Sequence, residues 1–446
     1  MASASVETIG VSAIPEAQRS MPPATLFTIW GLASASATTP VIGLLLYDLG
    51  VLNFCIAVVL ATLVGIVPAA ILSEQGREVP LISMITARAT FGRGGAFVLA
   101  FIYTLTGAGW FGLNTDVGGQ ILSTLYPGYG SLWYWLLGIG QTLLVFAGMK
   151  WLEWFYKYTA LIFIVCYVVL TYYMVSRYDF SLPSGDGPVA WGTTIDLILS
   201  FSLLAWAYEF STVSRFCRPA TANESRSSRV SYFAAATLGV MAPVLVMGLL
   251  GLVAKASTGE WNIALIAKDL PLTGALAALG VILAIAHTNA MNLYPAVLKL
   301  LAAGETVRQP RRFDQPVAAL ALGLTATILA VSNILSYVEP FLLFIGSFLF
   351  PFSFLMAFDW VVVQKRRTSV AEFFAPADGL ADLFRVRALT ALIFGILVSS
   401  LDPLGWIPAW VTAWLPWSVV ASLLACALYA VLLRFEAARQ QSQQTA

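Results

Sequence analysis

Apolar runs of about twenty residues recur along the chain, separated by short polar joints rich in Gly, Pro and Arg. At helical rise, runs of that length match the hydrocarbon thickness of a bilayer. The pattern predicts twelve spans, at 24–46, 51–73, 96–126, 132–149, 155–176, 193–214, 231–255, 273–303, 316–336, 338–363, 388–402 and 411–434. The third and eighth are long enough to tilt or overshoot the hydrocarbon, and the eleventh is short. The segment before the first span, "MASASVETIGVSAIPEAQRSMPP", has no apolar run of its own, so no signal peptide is expected. These features predict an all-α polytopic membrane protein. Its single transmembrane domain covers 24–434, with a cytoplasmic segment at 1–23 and a disordered cytoplasmic tail at 435–446.

Composition narrows the class. Of 446 residues, 59% are hydrophobic and 11% charged, against about 25% charged in ordinary soluble domains. A soluble globular protein and a disordered chain are both excluded. The net charge of +1 gives no basic field for nucleic acid. Of the 24 Lys and Arg, 21 fall on the N-terminal side of the spans; only Arg177, Lys255 and Lys268 fall on the other. Positive residues stay inside, so both termini are expected in the cytoplasm. None of Cys55, Cys166, Cys217 and Cys426 lies in an outer loop, and no structural disulfide is expected. His287 is the sole histidine, which excludes a zinc site built on several histidines. The connections at 180–192 and 364–387 are too short to fold alone.

Two spans carry irregularities. The first contains "GLASASATTPVIG" (31–43), small and hydroxylated, with Pro40 removing a backbone hydrogen bond. The sixth carries Ser200, Ser202 and Glu209 in an apolar setting. Interrupted helices five spans apart point to two inverted five-span halves, 24–176 and 193–363, because an odd repeat reverses topology. Ordinary helix packing through small residues is the competing reading.

The third span brings Trp110 and Asn114 onto one helix face, a turn apart. An indole to stack and an amide to donate and accept suit a flat, hydrogen-bonding ring. Gly107, Gly109 and Gly112 leave room beside the indole. A packed Trp with an interhelical Asn bond is the plainer alternative. In the eighth span His287, Thr288, Asn289 and Asn292 fall within six residues, a costly cluster unless it faces a cavity or the bundle interior. Asp116 and Glu209 read either as local ion pairs, Glu209 with Arg215, or as coupling groups. The run "QKRRTS" after the tenth span reads as a topology anchor. Trp133, Trp135, Trp406, Trp410, Trp414 and Trp417 read as interfacial belts.

In order and spacing, "RSMPPATLFTIW" (19–30), "ARATFGRGG" (87–95), "GWFGLN" (109–114), "GEWN" (259–262), "HTNAMNLYP" (287–295) and "FDWVVVQKRRTS" (358–369) resemble the nucleobase:cation symporter family, the purine–cytosine permease group. The resemblance covers essentially the whole chain. It implies a LeuT-type fold, ten helices in two inverted repeats plus two more at 388–434, with alternating access around a midplane site. By position it makes Trp110 the stacking residue, Asn114 and Asn292 the amides that read the ring, and Ser36 a polar contact from helix one. Asn114 stands where hydantoin-transporting members have a glutamine. On helix six it places Ser202 and Leu203 where such members have Gly and a second stacking Trp; Phe201 and Trp206 are the nearest aromatics. The sodium site of relatives corresponds to Leu32, Ala35, Ala284, His287 and Thr288. Imidazole is a poor ligand for a hard alkali cation and titrates near neutrality. The expected coupling ion is therefore H+, with Na+ as runner-up, and no cofactor is expected.

These readings predict a monomeric symporter of the cytoplasmic membrane importing a small neutral nitrogen heterocycle such as cytosine or uracil. The alternatives are an allantoin- or hydantoin-like compound or a vitamin ring such as thiamine or a B6 vitamer. An enzyme is disfavoured because His287, Thr288 and Asn289 form no nucleophile–base–acid set. A channel is disfavoured because it needs a filter or charged ring built by several subunits.

Overall fold

A computed structural model of the chain describes residues 9–221, 223–260, 264–267, 271–306, 314–367 and 369–444. Trp261 and Asn262 of the "GEWN" marker, Lys268, Arg308, Arg311 and Arg312 lie outside the described residues. The spans appear as α1 (Pro23–Ser34, resuming as Pro40–Leu45), α2 (Gly50–Glu78), α3 (Ser83–Leu125), α4 (Leu132–Val145) and α5 (Met149–Arg177). They continue as α6 (Trp191–Phe201, Leu203–Ala207 and Phe210–Ser214), α7 (Arg226–Thr258), α8 (Pro271–Glu305) and α9 (Asp314–Val331). The last are α10 (Val338–Phe358, ending in a π-helical turn Asp359–Val363), α11 (Val386–Ser399) and α12 (Trp417–Gln444). Among the described residues nine helices are long and apolar enough to cross a membrane. The broken α1 and the 14-residue α4 and α11 complete the set. Leu52, Leu161 and Tyr172 on the rim are about two-thirds exposed or more, as lipid-facing side chains are.

Both irregular spans are broken. In α1, Ala35–Thr39 leaves the helix and Pro40 opens the next one, where its missing N–H costs nothing. The Thr39 hydroxyl donates to Ser34 O at 2.7 Å and so occupies a carbonyl freed by the break. In α6 the break falls at Ser202, whose hydroxyl donates back to Ile198 O. A second interruption at Tyr208 and Glu209 precedes the last segment.

The helices pack in two groups. α1 and α2 contact α7, and α2 contacts α6; α3 lies along α8 and α9, and α4 packs on both α3 and α9. Within the first group the backbones touch. A Cβ at Gly43 would overlap the Gly248 carbonyl, and one at Gly251 would overlap the Pro40 carbonyl. Small residues allow this approach, which drives helix association in lipid. The glycines around Trp110 do the same rather than clearing space for the indole. A Cβ at Gly107 would lie 2.8 Å from Ala296, one at Gly109 2.6 Å from the Phe341 ring, and one at Gly112 2.9 Å from Ala326 O.

Two helix ends differ from expectation. α3 starts at Ser83 rather than near 96, because a polar helix precedes the membrane segment and joins it through Gly92, whose φ of +77° only glycine adopts readily. α12 continues to Gln444 instead of giving way to a disordered tail, since Ala, Arg and Gln are good helix formers even without apolar faces.

The contact between α1 and α7 has a direct test. Gly251→Val should force them apart and destabilise the protein by about 1–3 kcal/mol, read as a lowered melting temperature in detergent; an unchanged melting temperature would contradict the contact.

Candidate substrate-binding site

The two breaks face α3 and α8 across a cleft. Its wall is formed by Ser34, Ser36, Thr38 and Thr39 from α1, Trp110 and Asn114 from α3, Phe201, Trp206 and Tyr208 from α6, and Thr288 and Asn292 from α8. Its atom-free space, open solvent at the mouth included, is about 470 Å3. Among the described residues no charged side chain lines it.

Trp110 is held edge-on by Phe201 at 6.3 Å and 66°, and by Phe341 at 5.4 Å and 75°. Trp206 also reaches the cleft and packs on the buried Trp30 at 5.6 Å. Leu203 and Ser202 do not line it. Leu203 is fully buried toward Gly65 of α2, and Ser202 is fully buried at the break. Restarting the helix after Ser202 presents Ala205, Trp206 and Tyr208 to the cleft instead.

The amides divide their roles. Asn114 Oδ1 accepts from Ser36 Oγ at 2.8 Å and Thr38 Oγ1 at 2.9 Å, while its Nδ2 donates to Trp110 O at 2.8 Å. It therefore ties the α1 break to α3. Asn289 is interhelical glue: its Nδ2 donates to Phe111 O, Thr115 Oγ1 and Gln141 Oε1 at 2.6–3.0 Å. Asn292 donates to Asn289 Oδ1 at 3.1 Å and faces the cleft.

The residues expected around a coupling ion separate. Thr288 Oγ1 lies 2.7 Å from Ala33 O and 3.1 Å from Ala284 O, bridging α8 to α1. Leu32 and Ala35 are buried on either side of Ala33. The His287 ring turns away toward α5, among Phe155, Tyr156 and Phe163, with Nε2 2.7 Å from Thr159 Oγ1.

Glu209 does not pair with Arg215. It forms a buried ion pair with Lys299 of α8, both side chains 2% exposed, and Lys299 Nζ sits 4.7 Å over the Tyr208 ring that floors the cleft. Lys299 follows Asn292 by seven residues on the same helix face, a signal present in the sequence. Arg215 instead donates to Gly10 O at 3.1 Å, Ser12 O at 3.4 Å and Tyr294 OH at 3.3 Å. Arg19 donates to Arg215 O and Arg77 O, so the N-terminal segment straps this end of the molecule. Asp116 is also structural: its oxygens accept from Gln120 and from the Leu335 N–H.

The sequence model of a family described as permease for cytosine/purines, uracil, thiamine and allantoin matches residues 13–432. A hydantoin permease of Microbacterium maritypicum is 23% identical over 325 residues, 68% of this chain and 63% of the relative's own length. A purine-cytosine permease of Emericella nidulans is 24% identical over 386 residues, 81% of this chain and 74% of that protein. Among solved structures, the nucleobase-cation-symport-1 family transporter Mhp1, closed with bromovinylhydantoin bound, superposes with a TM-score of 0.76 at 17% identity, covering 97% of each chain. A Na+-coupled sialic acid symporter gives 0.66 at 13% identity, covering 96% of this chain and 92% of that one. The architecture is the LeuT-type fold, five plus five helices in inverted repeat with two more following.

The buried pair makes a two-sided prediction. Glu209→Ala or Lys299→Ala alone should cost about 3–5 kcal/mol by stranding the other charge, whereas replacing both with Met should come close to neutral. Thermal stability of the single and double variants in detergent measures this; equal losses in all three would contradict a desolvated pair.

Proposed function

Because the chain belongs to the family of permeases for cytosine/purines, uracil, thiamine and allantoin, we propose that it is a secondary active symporter for a small neutral nitrogen heterocycle, of which cytosine and uracil are the leading examples. The observation that carries this reading is the cleft wall itself: aromatic faces, hydroxyls and amides converge without a charge. Trp110 offers a stacking face and Asn292 an amide edge, while Asn114 serves the ring indirectly by holding the α1 break. A cationic ring such as thiamine finds no counter-charge, since Asp116 and Glu209 are engaged elsewhere. A hydantoin- or allantoin-like ring is the second reading, favoured by the likeness to a structure holding bromovinylhydantoin.

Transport proceeds by alternating access, with the group containing α1 and α6 moving against the one containing α3 and α8. Glu209 and Lys299 sit on opposite sides of that division below the cleft, so opening this side separates them. Protons drive the cycle, with sodium second. What supports this is position 287, which contributes an imidazole directed at α5 and leaves Thr288 Oγ1, Ala33 O and Ala284 O as the oxygens that meet there. The protein acts as a monomer in the cytoplasmic membrane, termini inside, as the distribution of Lys and Arg supports.

Binding to purified protein, screened by thermal shift against cytosine, uracil, hydantoin and allantoin, should single out one ring. Trp110→Ala should weaken it roughly tenfold or more, and Asn292→Ala by about 1–3 kcal/mol; unaltered affinity in Trp110→Ala would remove the stacking role. In proteoliposomes, uptake should respond to an imposed proton gradient alone. Dependence on a sodium gradient, with no response to protons, would reverse the choice of ion.

A further inference from the structure

A backbone carbonyl only accepts hydrogen bonds, so a side-chain amide that faces one must turn its nitrogen to it. Two successive carbonyls of α3 fix two amides in this way. Trp110 O takes Asn114 Nδ2 at 2.8 Å, and Phe111 O takes Asn289 Nδ2 at 3.0 Å. Flipping either amide would set oxygen against oxygen.

The direction set at Phe111 passes along α8 to the cleft. Asn289 is fully buried behind the cleft wall. With its nitrogen held by Phe111 O and, at 2.6 Å, by Gln141 Oε1 of α4, it presents Oδ1 to Asn292. Asn292 meets that oxygen with Nδ2 at 3.1 Å. Its own Oδ1 is left over: among the described residues it has no partner, and Asn292 lies on the cleft wall. Asn114, by contrast, is spent at both ends.

The hydroxyls of α1 and α8 agree with this polarity. Each carries a single hydrogen. Ser36 and Thr38 direct theirs to Asn114 Oδ1, Thr39 to Ser34 O and Thr288 to Ala33 O. Ser34 keeps its hydrogen, on an oxygen buried at the break. These two helices therefore face the ring chiefly as acceptors. The side-chain donors of the cleft, the indole N–H groups of Trp110 and Trp206 and the Tyr208 hydroxyl, come from α3 and α6.

We propose that Asn292 reads the substrate by accepting an N–H through Oδ1, and that Asn289 is the positioning residue that imposes this direction from behind the wall. The inference rests on the reading of this cleft as the site of a neutral nitrogen heterocycle, and it names what that ring must carry. The edge turned to α8 bears an N–H, on a ring nitrogen or an amino group. Imide, ureide and amino-substituted rings meet the requirement. A ring whose nitrogens are all alkylated does not, because it would bury Oδ1 against carbon, and an acceptor desolvated without a donor is costly.

Calorimetric titration of the purified full chain tests it. The probes are cytosine, uracil, hydantoin and allantoin, each beside derivatives in which one nitrogen at a time is methylated until it carries no hydrogen, and beside one methylated at carbon (thymine for uracil). For a ring that binds, at least one nitrogen methylation should lower affinity roughly tenfold or more and methylation at carbon much less, since a site built around a hydrogen bond rejects a ligand lacking the group. Equal affinity for the parent and all its nitrogen-methylated forms overturns the inference. If none of the four parents binds, it is the reading of the cleft as a heterocycle site that fails, and the inference falls with it.

Asn289→Ala frees the Asn292 amide to turn, so the preference for the parent over the discriminating nitrogen-methylated ring should shrink by about threefold or more. A merely structural loss would weaken both ligands alike and leave that ratio unmoved, and an unmoved ratio overturns the positioning role. The methyl series is read on the unaltered chain, so it decides the direction of the Asn292 bond even where Asn289→Ala does not fold.

Discussion

In hydrocarbon a backbone N–H or C=O without a partner costs several kcal/mol, so a helix that stops at mid-depth must have its loose ends answered by other groups. The chain breaks two such helices, and most of the polar chemistry at its centre answers those breaks. Thr39 returns to Ser34 O, Ser202 returns to Ile198 O, and Thr288 reaches Ala33 O from α8. Asn114 collects the hydroxyls of Ser36 and Thr38. The cleft exists because these repairs leave one side of each break facing open space.

The same constraint explains how the two helix groups differ in their contacts. Within the α1–α7 pair the backbones meet through Gly43, Gly248 and Gly251, a dry contact with no polar element to rearrange. Between the groups the links are polar: a threonine hydroxyl on two carbonyls, an amide on two hydroxyls, and one ion pair beneath Tyr208. Rigid bodies joined by exchangeable polar contacts are what a rocking motion needs.

Much of this was legible in the residues. Span number followed from apolar run length, and the breaks from Pro40 and from the serines of the sixth span. Trp110, Asn114 and Asn292 were placed by one-turn spacing and by family resemblance, and the cleft brings them together. The register after the second break was not legible, because a helix that stops and restarts loses its 3.6-residue phase; hence Trp206 rather than Leu203 meets the cleft. The direction of the His287 ring was not legible for a related reason. Adjacent residues on a helix point about 100° apart, so its neighbour Thr288 faces α1 while the imidazole faces α5. Glu209 pairs with Lys299, ninety positions away, and not with Arg215, the nearest cation in sequence, because folding and not chain proximity sets the partner of a buried charge.

The strap formed by Gly10, Ser12 and Arg19 has an effect on assembly. Its anchors, Arg215 and Arg77, include one that is synthesised about two hundred residues later. Contacts of such long sequence separation form late, since closing a large loop must precede any gain from the contact. A segment made well before its anchor is thus among the last to settle, and it waits in water while six helices are laid into the lipid behind it.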